Sequence, residues 1–102
     1  MKKILLCCSA GMSTSMLVQK MLKAAEARGM ECKIEALPVS TFEDVIQDFD
    51  VCLLGPQVRF QLESLKKTAR QYGKPIDAIS PMAYGMMKGD EVLDQAISLM
   101  AK

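Results

Sequence analysis

The chain predicts an α/β fold: a single four-stranded parallel sheet in the order 2-1-3-4, flanked by helices on both faces. Three observations carry this. Strand-like and helix-like segments alternate along the 102 residues, the pattern of consecutive βα units. Residues 3–8 and 50–54, each opening on one charged residue, Lys3 or Asp50, form apolar runs of the kind found in central parallel strands covered on both faces. Residues 31–37 and 75–79 mix apolar with charged side chains, which suits the edges of a sheet. With two central strands, two edge strands and right-handed crossovers, 2-1-3-4 is the order that fits best.

The elements follow in turn. The first strand ends at Cys8. A helix over 13–28 presents Leu17, Met21 and Ala24 on one stripe, with Val18, Leu22 and Ala25 beside it, and Gly29 stops it. After the second strand, Ser40 and Glu43 have the spacing of a capping box. They open a helix whose i, i+3, i+4, i+7 positions are Phe42, Val45, Ile46 and Phe49. The third strand runs into Gly55-Pro56. The helix after it carries Val58, Leu62, Leu65, Ala69 and Tyr72 on one face and stops at Gly73. A loop over 80–85 follows the fourth strand, and a last helix from near Asp90 buries Leu93, Ile97 and Met100.

Composition narrows the function. A length of 102 residues with 50% apolar content suits one domain spanning 1–102 with one core. The net charge is +1, there is no basic block, and aromatics make up only 5%, so nucleic acid is not an expected partner. No apolar run approaches the roughly 20 residues of a membrane span. The run after Met1-Lys2-Lys3 is too short for a signal peptide, and a cytoplasmic protein is expected. The four cysteines, Cys7, Cys8, Cys32 and Cys52, include no C-x-x-C pair, and histidine is absent. No metal site, disulfide framework or cofactor is expected. Without histidine the chain can form neither a Cys-His nucleophile pair nor a phosphohistidine.

The stretch Cys8-Ser9-Ala10-Gly11-Met12-Ser13-Thr14-Ser15 is the chemical centre. It places a thiol at the end of a strand, ahead of a small turn and a helix N-terminus. Backbone N–H groups of such a turn and the positive end of the helix favour an anion, either a thiolate or a phosphate carried on it. In an open α/β sheet ligands bind beyond the carboxyl ends of the strands, where the order reverses. In 2-1-3-4 that point lies between the first and third strands, and it gathers Cys8, Gln57 and Tyr84 at one cleft.

Low-molecular-weight tyrosine phosphatases use Cys, five residues, Arg, then Ser or Thr. This chain keeps the spacing, with Thr14 where the arginine would stand and Ser15 after it. The guanidinium clamp that stabilises a transferring phosphoryl group is missing. Asp77 and Asp90 are available as general acids, but nothing in the sequence marks either. A site that holds a phosphorylated thiol without the clamp suits a relay. An arginine placed at Thr14 is expected to speed hydrolysis.

The octapeptide from Cys8 to Ser15, Leu53-Leu54-Gly55-Pro56-Gln57, and Tyr84-Gly85 together resemble the lactose/cellobiose (chitobiose) enzyme IIB components of the bacterial phosphoenolpyruvate-dependent sugar phosphotransferase system, over essentially the whole chain. The resemblance implies a phosphotransferase that takes phosphate from a IIA phosphohistidine onto Cys8. It then passes the group to a sugar, a β-linked disaccharide, held by the membrane protein IIC. It assigns phosphate binding to Ser9, Ala10, Gly11, Met12, Ser13, Thr14 and Ser15, with Gln57 and Tyr84 at the site edge. It also implies a monomer that meets the inner membrane face through IIC. The alternative is a phosphatase or arsenate-reductase-like enzyme. Strand alternation turns Cys7 away from the loop. Phe60 and the methionines Met12, Met82, Met86 and Met87 are candidates for a partner-facing surface. Lys66, Lys67 and Arg70 read as a solvated helix face.

Overall fold

Ile4, Leu5, Leu6, Cys7 and Cys8 are all buried, because the strand they form is covered on both faces and paired along both edges. The computed structural model describes residues 1–8 and 12–101. Strands β1 (Lys2–Cys8), β2 (Cys32–Pro38), β3 (Val51–Leu54) and β4 (Ile76–Ala78) form one parallel sheet in the order β2-β1-β3-β4. Ile4 pairs with Ile34 on one side and Val51 on the other, and Cys52 pairs with Ile76. The strand order and the division into central and edge strands are those the hydropathy pattern predicts.

Alternation divides β1 between two cores. Ile4 and Leu6 face the side covered by α1 (Met12–Ala27) and α5 (Gly89–Met100), against Leu17, Met21, Val92 and Leu93. Leu5 and Cys7 face the side covered by α2 (Phe42–Val45) and α3 (Leu62–Gln71), against Phe42, Ile46 and Ala69. Both glycine stops form as expected. Gly29 and Gly73 each have φ +67°. At the first, the Met30 N–H donates to the Ala25 carbonyl at 2.9 Å and the Gly29 N–H to Glu26 at 3.0 Å. That pair of bonds is the Schellman arrangement, which closes the last carbonyls of a helix.

Three local expectations change. The helix expected from Ser40 and Glu43 is instead a 3-10 turn (Val39–Thr41), the single α-turn α2, and another 3-10 turn (Ile46–Asp48), with no side-chain cap at any start. The Thr41 hydroxyl donates to the Pro38 carbonyl at 2.8 Å. Phe42, Ile46 and Phe49 are all buried, and seating them on the sheet within a short connection outweighs helical regularity. The helix after Gly55 also begins as 3-10 (Pro56–Gln61), with Val58 off helical geometry, before α3. The loop over 80–85 contains α4 (Pro81–Gly85), capped by Ser80, whose hydroxyl accepts the Ala83 N–H at 3.4 Å. The serine cap and the proline at the first helical position mark it in the sequence.

Helices α1 and α5 meet at a glycine. A Cβ on Gly89 would lie 2.5 Å from the Lys20 carbonyl carbon and 2.6 Å from the Met21 nitrogen. Farther along, Arg28 pairs with Asp94 at 2.6 Å and donates to the Asp90 carbonyl at 3.3 Å. Gly89→Ala therefore forces two backbones apart. It is expected to cost about 1–3 kcal/mol, read as a lowered urea midpoint with an unchanged slope.

On the α2–α3 side the Cys52 thiol donates to Cys7 Sγ at 3.8 Å. Burial, reinforced by that contact with Cys7, pushes the Cys52 thiol well above its ordinary range. The unfolded chain therefore loses this proton first. The associated stability is intact below about pH 8.5 and falls as pH rises above it, at a limiting slope of about 1.4 kcal/mol per pH unit. Urea unfolding between pH 7 and pH 10 is expected to show this decline, with a shallower slope in Cys52→Ala.

Candidate functional site

Cys8 closes β1 opposite Pro38 of β2 and is 1% exposed. The chain runs on through Ser9, Ala10 and Gly11, which lie outside the described residues, and enters α1 at Met12. Met12, Ser13, Thr14 and Ser15 form the first helical turn, and no acidic residue there offsets the positive end of the helix. The second wall is the end of β3. The Gly55 N–H donates to the Cys7 carbonyl at 2.8 Å. A Cβ on Gly55 would stand 3.5 Å from Cys8 Cβ and 2.7 Å from Gln57 Oε1. The absent side chain thus leaves the space into which the Gln57 amide folds, beside Cys8.

The third wall comes from α4. Tyr84 is buried, and its hydroxyl shares a hydrogen bond of 3.0 Å with Thr14 Oγ1. Among the described residues Thr14 is the one buried polar side chain outside the tyrosines, with no solvent exposure. This pairing spans 70 positions of sequence. It also changes the expectation for an arginine at 14. A guanidinium there would be buried and would displace Tyr84, so that substitution reports on folding before chemistry.

Other candidates are placed elsewhere. Cys7 lies on the opposite face with Cys52, as alternation requires. Cys32 pairs with Lys2 at the far end of β1. Asp77 accepts the Ala78 N–H at 2.8 Å and a bond from Gln95 at 3.5 Å, two strands from Cys8. Asp90 stands beside the Arg28 guanidinium, at the far end of α1. Neither acid is presented to the thiol. Phe60, Met82 and Met86 are 77%, 70% and 62% exposed, in segments that follow β3 and β4. Met87 instead packs on the core with φ +53°. Lys67 and Arg70 are exposed, and Lys66 pairs with Glu63 at 3.8 Å. A groove of about 980 Å³ lies at the opposite end of the sheet, lined by Lys2, Glu31, Asp50 and Arg70 among others, away from Cys8. Among the described residues no helix is long and apolar enough to cross a membrane.

Among the described residues, this arrangement offers an anion the N-terminus of α1 and the Gln57 amide beside Cys8, and Thr14 stands where a phosphatase would carry its arginine. Comparison with known proteins agrees with a carrier of phosphate. The model of the family described as "PTS system, Lactose/Cellobiose specific IIB subunit" matches residues 3–95. The oligo-beta-mannoside-specific EIIB component of Bacillus subtilis is 45% identical over 98% of this chain and 97% of its own length. The galactose-specific and cellobiose-specific EIIB components of Lactococcus lactis are each 44% identical, over 97% of this chain and 96% of their own. The solution structure of a cellobiose-specific IIB component from Borrelia burgdorferi superposes with a TM-score of 0.82 at 42% identity, covering 98% of this chain and 92% of that one. The lactose-specific IIB domain of Streptococcus pneumoniae shares the fold, with a TM-score of 0.86 over 96% of both chains at 20% identity. These likenesses favour the carrier over a phosphatase or arsenate reductase. The chain belongs to the lactose/cellobiose-specific IIB family, the phosphotransferase components of sugar transport systems.

Proposed function

We propose that Cys8 is the phosphoryl acceptor of this IIB component and that 1–102 acts as one carrier domain. In the first step the Cys8 thiolate attacks the phosphorus of a phosphohistidine on IIA. The S–P bond forms, the P–N bond breaks, and the imidazole leaves with the electron pair. In the second step a hydroxyl of the sugar held by IIC attacks the same phosphorus. The O–P bond forms, the S–P bond breaks, and the thiolate is regenerated as the hydroxyl proton is lost. The observation that carries this reading is the seat of Cys8, at the end of a strand buried on both faces, leading into the N-terminus of α1 and flanked by the bare backbone of Gly55.

Residues 9–15 serve as the phosphate loop, with Thr14 contributing its backbone because its hydroxyl is engaged by Tyr84. The Gln57 amide borders the phosphoryl group. The lack of a clamp and a positioned acid keeps water from competing with the proper acceptor. The protein works in the cytoplasm as a monomer between partners and meets the inner membrane face through IIC. Its sugar is a β-linked disaccharide. Relatives of nearly equal identity are named for three different sugars, so the choice rests with IIC, to which IIB presents only a phosphoryl group.

Incubation with the phosphorylated general carrier and a cognate IIA is expected to label Cys8 alone, mapped by mass spectrometry. Cys8→Ser abolishes the label and Cys7→Ala keeps it. Label that follows Cys7, or brisk hydrolysis of a chromogenic phosphate ester, contradicts the proposal.

Gln57 is tested in two ways. Gln57→Ala removes the amide, and Gly55→Ala displaces it, at little cost to folding because the side chain is flexible. Each is expected to slow transfer to Cys8 by about three- to tenfold, the loss of one hydrogen bond, measured by rapid quench. Unchanged rates in both variants place Gln57 outside the reaction.

A further inference from the structure

Thr14 sits in the first turn of α1, has no exposure, and shares its hydroxyl with the Tyr84 hydroxyl at 3.0 Å. A buried hydroxyl left without a partner destabilises the fold, and this bond supplies one to Thr14. Tyr84 is itself firmly placed. It lies in α4, whose start is capped by the Ser80 hydroxyl and whose end is closed by Met87 N–H to the Tyr84 carbonyl at 3.1 Å and Lys88 N–H to the Ala83 carbonyl at 2.9 Å. Met87 takes the left-handed position of that closure with φ +53°, a conformation that costs a non-glycine residue energy. The ring of Tyr84 belongs to the core cluster that also holds Leu6, Leu17 and Ile79. A closed turn thus delivers one hydroxyl, through apolar surroundings, to the first turn of α1.

We infer that Tyr84 is a positioning residue for phosphoryl transfer at Cys8: through Thr14 it fixes the first turn of α1, and with it the backbone N–H groups that face the phosphate. The inference rests on the assignment of Cys8 as acceptor. The geometric reason is leverage. Donors to a spreading phosphoryl charge act only when held in place before the reaction, and a helix terminus is the part most given to fraying. Without the bond the first turn of α1 is free to fray. The bond lies beside the site, so its effect falls on the maximal rate and not on the docking of IIA.

The test uses the full chain and four variants: Tyr84→Phe, Thr14→Val, the double variant, and Thr14→Ser, which keeps the hydroxyl. Amide hydrogen exchange by NMR is expected to quicken about fivefold over residues 12–16 in Tyr84→Phe, while Ile4 to Leu6 of β1 stay protected. The maximal rate of transfer from phosphorylated IIA falls by a similar factor, at an unchanged half-saturating IIA concentration. Thr14→Ser recovers most of what Thr14→Val loses in each. The double variant is decisive. Replacing both partners by apolar groups removes the unpaired Thr14 hydroxyl that Tyr84→Phe leaves and raises the melting temperature above that variant's, yet transfer remains slow. If transfer recovers along with stability, or if Tyr84→Phe leaves exchange at 12–16 unchanged, the positioning role is overturned. A folded wild type that accepts no phosphate from any IIA overturns the Cys8 assignment instead, and the exchange measurement then decides the Thr14–Tyr84 role alone.

Discussion

Burial of β1 on both faces is the constraint on which the rest of this molecule depends. A strand with no solvent-facing side must satisfy its backbone along both edges, so β2 and β3 flank it. It must also be covered above and below, so helices lie on both faces. Parallel neighbours require crossover connections, and the crossovers leave β1 toward one edge and return toward the other. In open α/β sheets ligands bind at such a reversal, here the carboxyl end of β1. The residue there, Cys8, is held by the same hydrophobic burial that stabilises the sheet.

Polar groups near the thiol follow from what that burial permits. The α1 terminus supplies partial positive charge without a charged side chain. Gly55 brings a backbone to within contact of Cys8 and leaves room for the Gln57 amide. The Thr14 and Tyr84 hydroxyls satisfy one another. Among the described residues these are neutral donors. Neutral donors stabilise a phosphorylated thiol, whereas a guanidinium and a nearby acid would also favour attack by water. The same logic separates the cysteines. Cys7 and Cys52 share an apolar environment that opposes ionisation of Cys52, while Cys8, one residue on from Cys7, points to the other face.

Much of the fold was legible in the sequence. The two long apolar runs marked the central strands, the mixed runs marked the edges, and Gly29 and Gly73 marked helix ends. Expectations failed where local propensity competed with packing. The Ser40–Glu43 box lost to the need to seat Phe42, Ile46 and Phe49, and α4, too short to show a hydrophobic period, is marked only by its Ser80 cap and Pro81. Part of the surroundings of Cys8 was legible through topology, since the strand order brings the end of β3, with Gly55 and Gln57, beside it.

The sequence by itself determined the strand order, the thiol at the end of β1 and the helix that starts beyond it, because these depend on local pattern and on chirality. Only the tertiary structure decided which hydroxyl faces what. Thr14 and Tyr84 lie 70 positions apart, and nothing in the spacing of either shows that they meet. The close passage of Gly89 against Lys20 and Met21, and of Gly55 beside Cys8, is equally invisible in one dimension. A glycine reads as a turn in sequence, and its use as a packing gap depends on a partner that only the folded chain brings near.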